Sequence, residues 1–116
     1  MKVYRKELAM QAVRAGYTAH YVADLQLSNQ ADSAGVIVVE IAKGTLTSPH
    51  THQHLEELFI PMNRISMGVG ESLLSLDTGD VVLVESGERH WFQAYSDEDA
   101  RVLAIKIPNL KEDKIE

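Results

Sequence analysis

The chain has 116 residues, 45% of them hydrophobic, with a formal net charge of −6 and a sequence pI near 5.3. That length and apolar content fit one domain with a single core, whereas the acidic balance argues against the basic footprint that nucleic-acid binding requires. No apolar run approaches the roughly 20 residues that cross a bilayer, and the absence of cysteine removes disulfides, thiolate ligands and a cysteine nucleophile together.

The opening MKVYRKELAM lacks the uninterrupted apolar stretch of a secretory signal, so a cytoplasmic location with no membrane partner is expected. Lys6 to Ala15 places Leu8, Ala9, Ala12 and Val13 at helical spacing, the pattern of a short N-terminal helix, while Tyr17 to Leu27 alternates as a strand would. From Gly35 the pattern is uniform: VIVVEIA, ELFIP, RISMGV, SLLSL, DVVLV, HWFQAY and RVLAIKI are short β-rich runs. Turn signals such as Gly44, Asn63, Gly70 and Thr78-Gly79 separate them. Many strands at short spacing predict an all-β sandwich or barrel. The run VIVVEI is apolar on both faces, so one face lines an interior and the other packs on a second sheet or subunit. The charged tail Lys111 to Glu116 is expected to fray or to form a last solvated turn.

Chemistry concentrates in PHTHQHLEE, Pro49 to Glu57, and in a distant His90. On a strand, residues two apart share a face, so His50 and His52 can point at one metal ion without any special loop. His54 and Glu56 share that parity, whereas Glu57 is followed directly by the apolar run LFI. On parity alone Glu56 and Glu57 remain alternative carboxylates, since a bulge after the histidines would bring Glu57 round. His54 is read either as a rim residue or as a group behind the ligands that contacts substrate or shuttles protons. GVGES around Gly68 and Gly70 is too short for a phosphate loop and fits a hairpin.

These windows carry a family resemblance. Gly44, His50, His52 and Glu57 resemble the first cupin motif, a glycine followed by H-x-H and a glutamate. Gly79, Gly87 and His90 resemble the second. The likeness covers about residues 44 to 94 and departs from the pattern at Glu85 (usually proline), Ala94 (usually asparagine) and Asn63 or Arg64 (usually glycine). It implies a cupin double-stranded β-helix, a jelly-roll barrel, over residues 1 to 116. It also implies His50, His52, Glu57 and His90 as metal ligands, with Glu57 favoured over Glu56 because the family's glutamate opens the apolar run.

Three neutral imidazoles and one carboxylate around a divalent ion leave a net charge of about +1 and open positions for an octahedral metal. With no sulfur donor among these ligands, Fe(II), Mn(II), Ni(II), Co(II) and Zn(II) all suit the set. If His90 and Glu57 face inward, Phe92, Ala94 and Phe59 follow by alternation and form a partly apolar wall for a small organic ligand. Arg64, Arg89 and Arg101 are given no substrate role. The expectation is one divalent ion per chain in a metal-dependent enzyme acting on a small oxygenated substrate, dioxygenase- or isomerase-like. The alternative is a module that binds or senses a metal or small ligand without turnover. Cupins pair through an outer sheet face, which with the doubly apolar VIVVEIA points to a homodimer.

Overall fold

The computed structural model describes residues 1–115; Glu116 lies outside the described residues. Twelve strands account for nearly all of its regular structure. They are β1 (Lys2–Tyr4), β2 (Met10–Arg14), β3 (Tyr17–Tyr21), β4 (Gly35–Ile41), β5 (Thr51–His52), β6 (Glu56–Pro61), β7 (Ile65–Val69), β8 (Ser72–Leu76), β9 (Val81–Val84), β10 (His90–Gln93), β11 (Ala100–Ile107) and β12 (Lys114–Ile115). A five-stranded sheet, β1-β9-β6-β11-β4, faces a three-stranded sheet, β10-β7-β8, and every pairing is antiparallel. This is the jelly-roll arrangement anticipated from the strand-rich sequence.

Alternation along the strands builds the core. Phe59, Val82, Val84, Val102 and Ala104 point from the first sheet toward Ile65, Met67, Val69 and Phe92 of the second, and all are buried. The opposite face of the five-stranded sheet carries Leu58, Val81 and Leu83, which Tyr4, Val22 and Leu25 cover from the amino-terminal segment. That cover stops short of β4, where Val36 and Val38 stay exposed. On β10 and β7, Trp91 stands opposite Gly68, and its ring occupies the space where a Cβ would project.

Two expectations change here. The helical spacing of Lys6 to Ala15 becomes only a three-residue 3-10 turn, Lys6–Leu8, because Met10–Arg14 pairs in full register with Tyr17–Tyr21. Gly16, with φ of 84°, closes that hairpin. As far as Ile115 the charged tail does not fray: Asp113 is buried, and β12 pairs with β5, while Glu116 lies outside the described residues. The Asp113 carboxylate accepts from the backbone N–H groups of His54 and Leu55, a satisfied anion that anchors the tail. No helix among the described residues is long and apolar enough to cross a membrane.

Candidate metal centre

The site is assembled from three stretches of backbone. His50 and His90 form a reciprocal bridge, His50 N–H to the His90 carbonyl at 3.1 Å and the reverse at 2.9 Å. His52 follows on β5, and its carbonyl accepts from Gly87 N–H at 2.8 Å. Gly87 has φ of 84°, a conformation that costs side-chain-bearing residues, and it closes the turn that delivers His90. The third stretch is β6, whose Glu57 is the cross-strand partner of Val84 and Lys106.

The choice between the two glutamates is made by the bend at Gln53 to Leu55. It breaks the strand after His52, so β6 restarts with its parity reversed relative to the histidines: Glu57, Phe59 and Pro61 face inward and Glu56, Leu58 and Ile60 face outward. Glu56 therefore lies on the far side of the sheet, where its Oε1 accepts from Ser28 N–H at 2.9 Å and from the Asn29 amide at 2.8 Å. His54 sits in the bend with its ring largely in solvent, and its Nδ1 is 2.8 Å from Asp113 Oδ1. Neither joins the cluster.

His50, His52, Glu57 and His90 do: one ligating atom from each lies within 4.8 Å of all the others. The ring centroids of His50 and His90 are 4.4 Å apart, and those of His50 and His52 are 5.1 Å apart. Such crowding of buried polar groups is costly without a shared partner. His52 Nε2, His90 Nε2 and Glu57 Oε1 are buried with no hydrogen bond. Although His52 Nε2 is 3.0 Å from Glu57 Oε1, the two atoms are not aligned for one. His90 Nδ1 lies 3.0 Å from the Glu88 carbonyl, which can only accept, so Nδ1 carries a hydrogen and the neutral form of the ring has its lone pair on Nε2, on the cluster side. Burial, then the neighbouring His90, lowers His50 to about 4, which keeps it neutral near pH 7. Burial acts to raise Glu57, but its contacts with His52 and His90 outweigh that and hold it at about 2, an anion. The donor atoms fit a divalent cation in number, type and mutual distance, and together these four residues could hold one.

The departures from the resembled pattern have local reasons. Glu85 stands where proline would remove a donor, and its N–H is used, donating to Glu88 Oε1 at 2.9 Å. Asn63 replaces a turn glycine by tying the turn with both ends of its amide, to the Asp99 carbonyl and from Arg101 N–H. Arg64 is committed elsewhere, to Asp97 and Glu98 and over the Tyr95 ring.

A cavity of about 400 Å³ opens onto His50, His52 and Glu57, walled by Val39, Phe59 and Phe92. Phe59 and Phe92 meet edge-to-face at 5.0 Å, as their inward parity predicts. Two further residues of this cavity, Lys106 and Lys114, were not singled out in the sequence. For Lys106 a signal existed: in RVLAIKI it continues the parity of Val102 and Ala104. A larger depression of about 560 Å³ near Glu40, Met62 and Arg101 lies away from the histidines.

Comparison with known proteins agrees with the fold. No curated protein matches the chain in sequence. Among solved structures, a cupin protein from Bacteroides fragilis aligns with a TM-score of 0.62 at 16% identity, over 80% of this chain and 91% of that one. An oxalate decarboxylase from Lactobacillus farciminis, in a formate complex, aligns with a TM-score of 0.64 at 22% identity over 72% of this chain. A DMSP lyase from Ruegeria pomeroyi aligns with a TM-score of 0.64 at 24% identity over 73%. The aligned part spans only 26% of the decarboxylase and 43% of the lyase, so these likenesses speak to the barrel. The cupin-domain family model matches residues 37–106, more than half of the chain and all four clustered residues, and the chain belongs to the cupin family.

Proposed function

We propose that His50, His52, Glu57 and His90 bind one divalent metal ion (Fe, Mn, Ni, Co or Zn) and that the protein is a metal-dependent enzyme acting on a small oxygenated organic substrate. The observation that carries this reading is the set of three buried ligating atoms without hydrogen bonds, facing one another beside an open cavity. When bound, the metal supplies Lewis acidity and open coordination positions, which suit either oxidation by dioxygen or isomerisation through a polarised carbonyl. The chain's own residues do the rest. Phe59 and Phe92 exclude water from one side, the Glu88 carbonyl holds the His90 ring in its ligating tautomer, and Glu57 offsets part of the cation's charge.

The same reading includes a homodimer in which a second copy covers the exposed Val36 and Val38 of β4. The test of function is elemental analysis of the purified protein, then oxygen uptake and product analysis with diketones, phenols, thiols, sugars and organic acids. Metal-dependent turnover of any one supports the enzyme. Tight ligand capture without turnover turns the site into a binding or sensing module, and protein without metal overturns the reading.

A further inference from the structure

Resting on the metal-site reading above, we infer that the substrate is a small organic carboxylate, held by Lys106 while a neighbouring carbonyl or hydroxyl oxygen meets the metal. The inference comes from strand register. Lys106 pairs directly with Glu57 across β11 and β6, and Lys114 pairs directly with His52 across β12 and β5. Directly opposed residues project to the same face with Cβ atoms about 5 Å apart, so each lysine stands beside a clustered residue. Both line the same cavity.

Lys106 is the unusual one. Val102 and Ala104, which precede it at the same parity on β11, are fully buried core residues, and Lys106 is itself half-buried. A third apolar residue would satisfy the barrel, yet the position carries an ammonium group. Lys114 reaches the same place only because Asp113 anchors the tail beneath it.

Charge makes the case specific. Glu57 is the only acid lining this cavity among the described residues. With a divalent ion bound, the Lys106 ammonium and the Glu57 carboxylate leave roughly two net positive charges around a partly enclosed space, a field that concentrates anions. Glu56, the next acid along β6, is turned away and held by Ser28 and Asn29. The remaining walls, Val39, Phe59 and Phe92, are apolar and suit the carbon skeleton of the ligand, while Thr47 and Ser48 at the His50 side supply hydroxyls. A neutral sugar or an amine fits this lining poorly.

The test compares two probes that differ chiefly in charge, pyruvate and its neutral methyl ester, titrated into Co(II)-loaded protein with the cobalt visible absorption as readout. Native protein is expected to bind pyruvate at least about tenfold more tightly than methyl pyruvate. Lys106→Gln is expected to lower pyruvate affinity by about tenfold, the size of one charge-assisted contact at a partly exposed site. Methyl pyruvate affinity and cobalt content should not change. Lys106→Arg, which keeps the charge, should retain most of the pyruvate affinity. Equal affinity for the two probes, no response to pyruvate, or a Lys106→Gln variant that binds pyruvate as native does would each overturn the inference while the metal site stands. A lysine variant that loses cobalt would also overturn it, by making that lysine a support of the site. Native protein that takes up no cobalt would overturn the metal reading itself.

Discussion

Exchanging each of the two adjacent glutamates for glutamine separates metal binding from scaffold stability. Glu57→Gln removes the anion of the cluster, whereas Glu56→Gln weakens the acceptor that pins Ser28 and Asn29. A ligand that binds only the folded state stabilises it by RT ln(1 + [L]/Kd), about 2.7 kcal/mol at one hundred times Kd. For a domain of this size each kcal/mol moves the melting temperature by about 4–8 °C. Native protein with excess metal should therefore melt about 10–20 °C above the chelator-treated sample. In Glu57→Gln that difference should nearly vanish. Its chelator-treated form should also lose some stability, since the contacts of the ionised carboxylate with His52 and His90 are lost. Glu56→Gln should instead give up two charge-assisted bonds in both samples, lowering both curves by about 1–3 kcal/mol and leaving the metal difference intact. Thermal unfolding followed by circular dichroism, with elemental analysis of the same samples, reads all of these. The reasoning is refuted if Glu57→Gln keeps the metal-dependent shift, or if Glu56→Gln abolishes it.

Acid should act first through His50 in the chelator-treated protein. Its folded value of about 4 lies below its ordinary 6.5, so from pH 6.5 downward the unfolded chain takes up a proton that the folded chain does not. Stability should fall by on the order of 1–2 kcal/mol between pH 6.5 and 4, after allowance for solvent screening, and this contribution should stop below 4. The Glu57 contribution, present above about pH 4.5, is lost from there toward 2. Urea titrations at stepped pH check both, and a His50→Ala variant with the same slope between pH 6.5 and 4 would reject the first. Gly68→Val should cost about 1–3 kcal/mol because its side chain meets the Trp91 ring; an unchanged urea midpoint would show that the ring moves aside freely. Light scattering at tens of micromolar should give twice the 12.9 kDa chain mass, and Val38→Lys should halve it. A native mass of one chain would reject the dimer.

The strand periodicity of this sequence was enough to determine an all-β barrel, because the short β-rich runs from Gly35 onward send alternate residues into the core. It also determined that His50 and His52 face one way, since two residues on one strand need no other information to share a face. Phe59, Phe92 and Ala94 followed from the same rule and are buried as it requires. What the tertiary structure decided lies where the chain leaves regular geometry or meets a distant segment. The bend at Gln53 to Leu55 resets the parity that would have put Glu56 beside the histidines, and it is stabilised by Asp113, 58 residues from Leu55. The tail's docking was not legible because the Asp113 carboxylate binds backbone N–H groups, which every residue but proline offers and no side-chain pattern announces. The amino-terminal segment followed the same logic: weak helical spacing yielded to a hairpin partner that supplies a full ladder of cross-strand bonds. Lys106 shows the boundary between the two. Its inward direction was written in the alternation of RVLAIKI, but only the register that sets it against Glu57 shows that it faces the cluster.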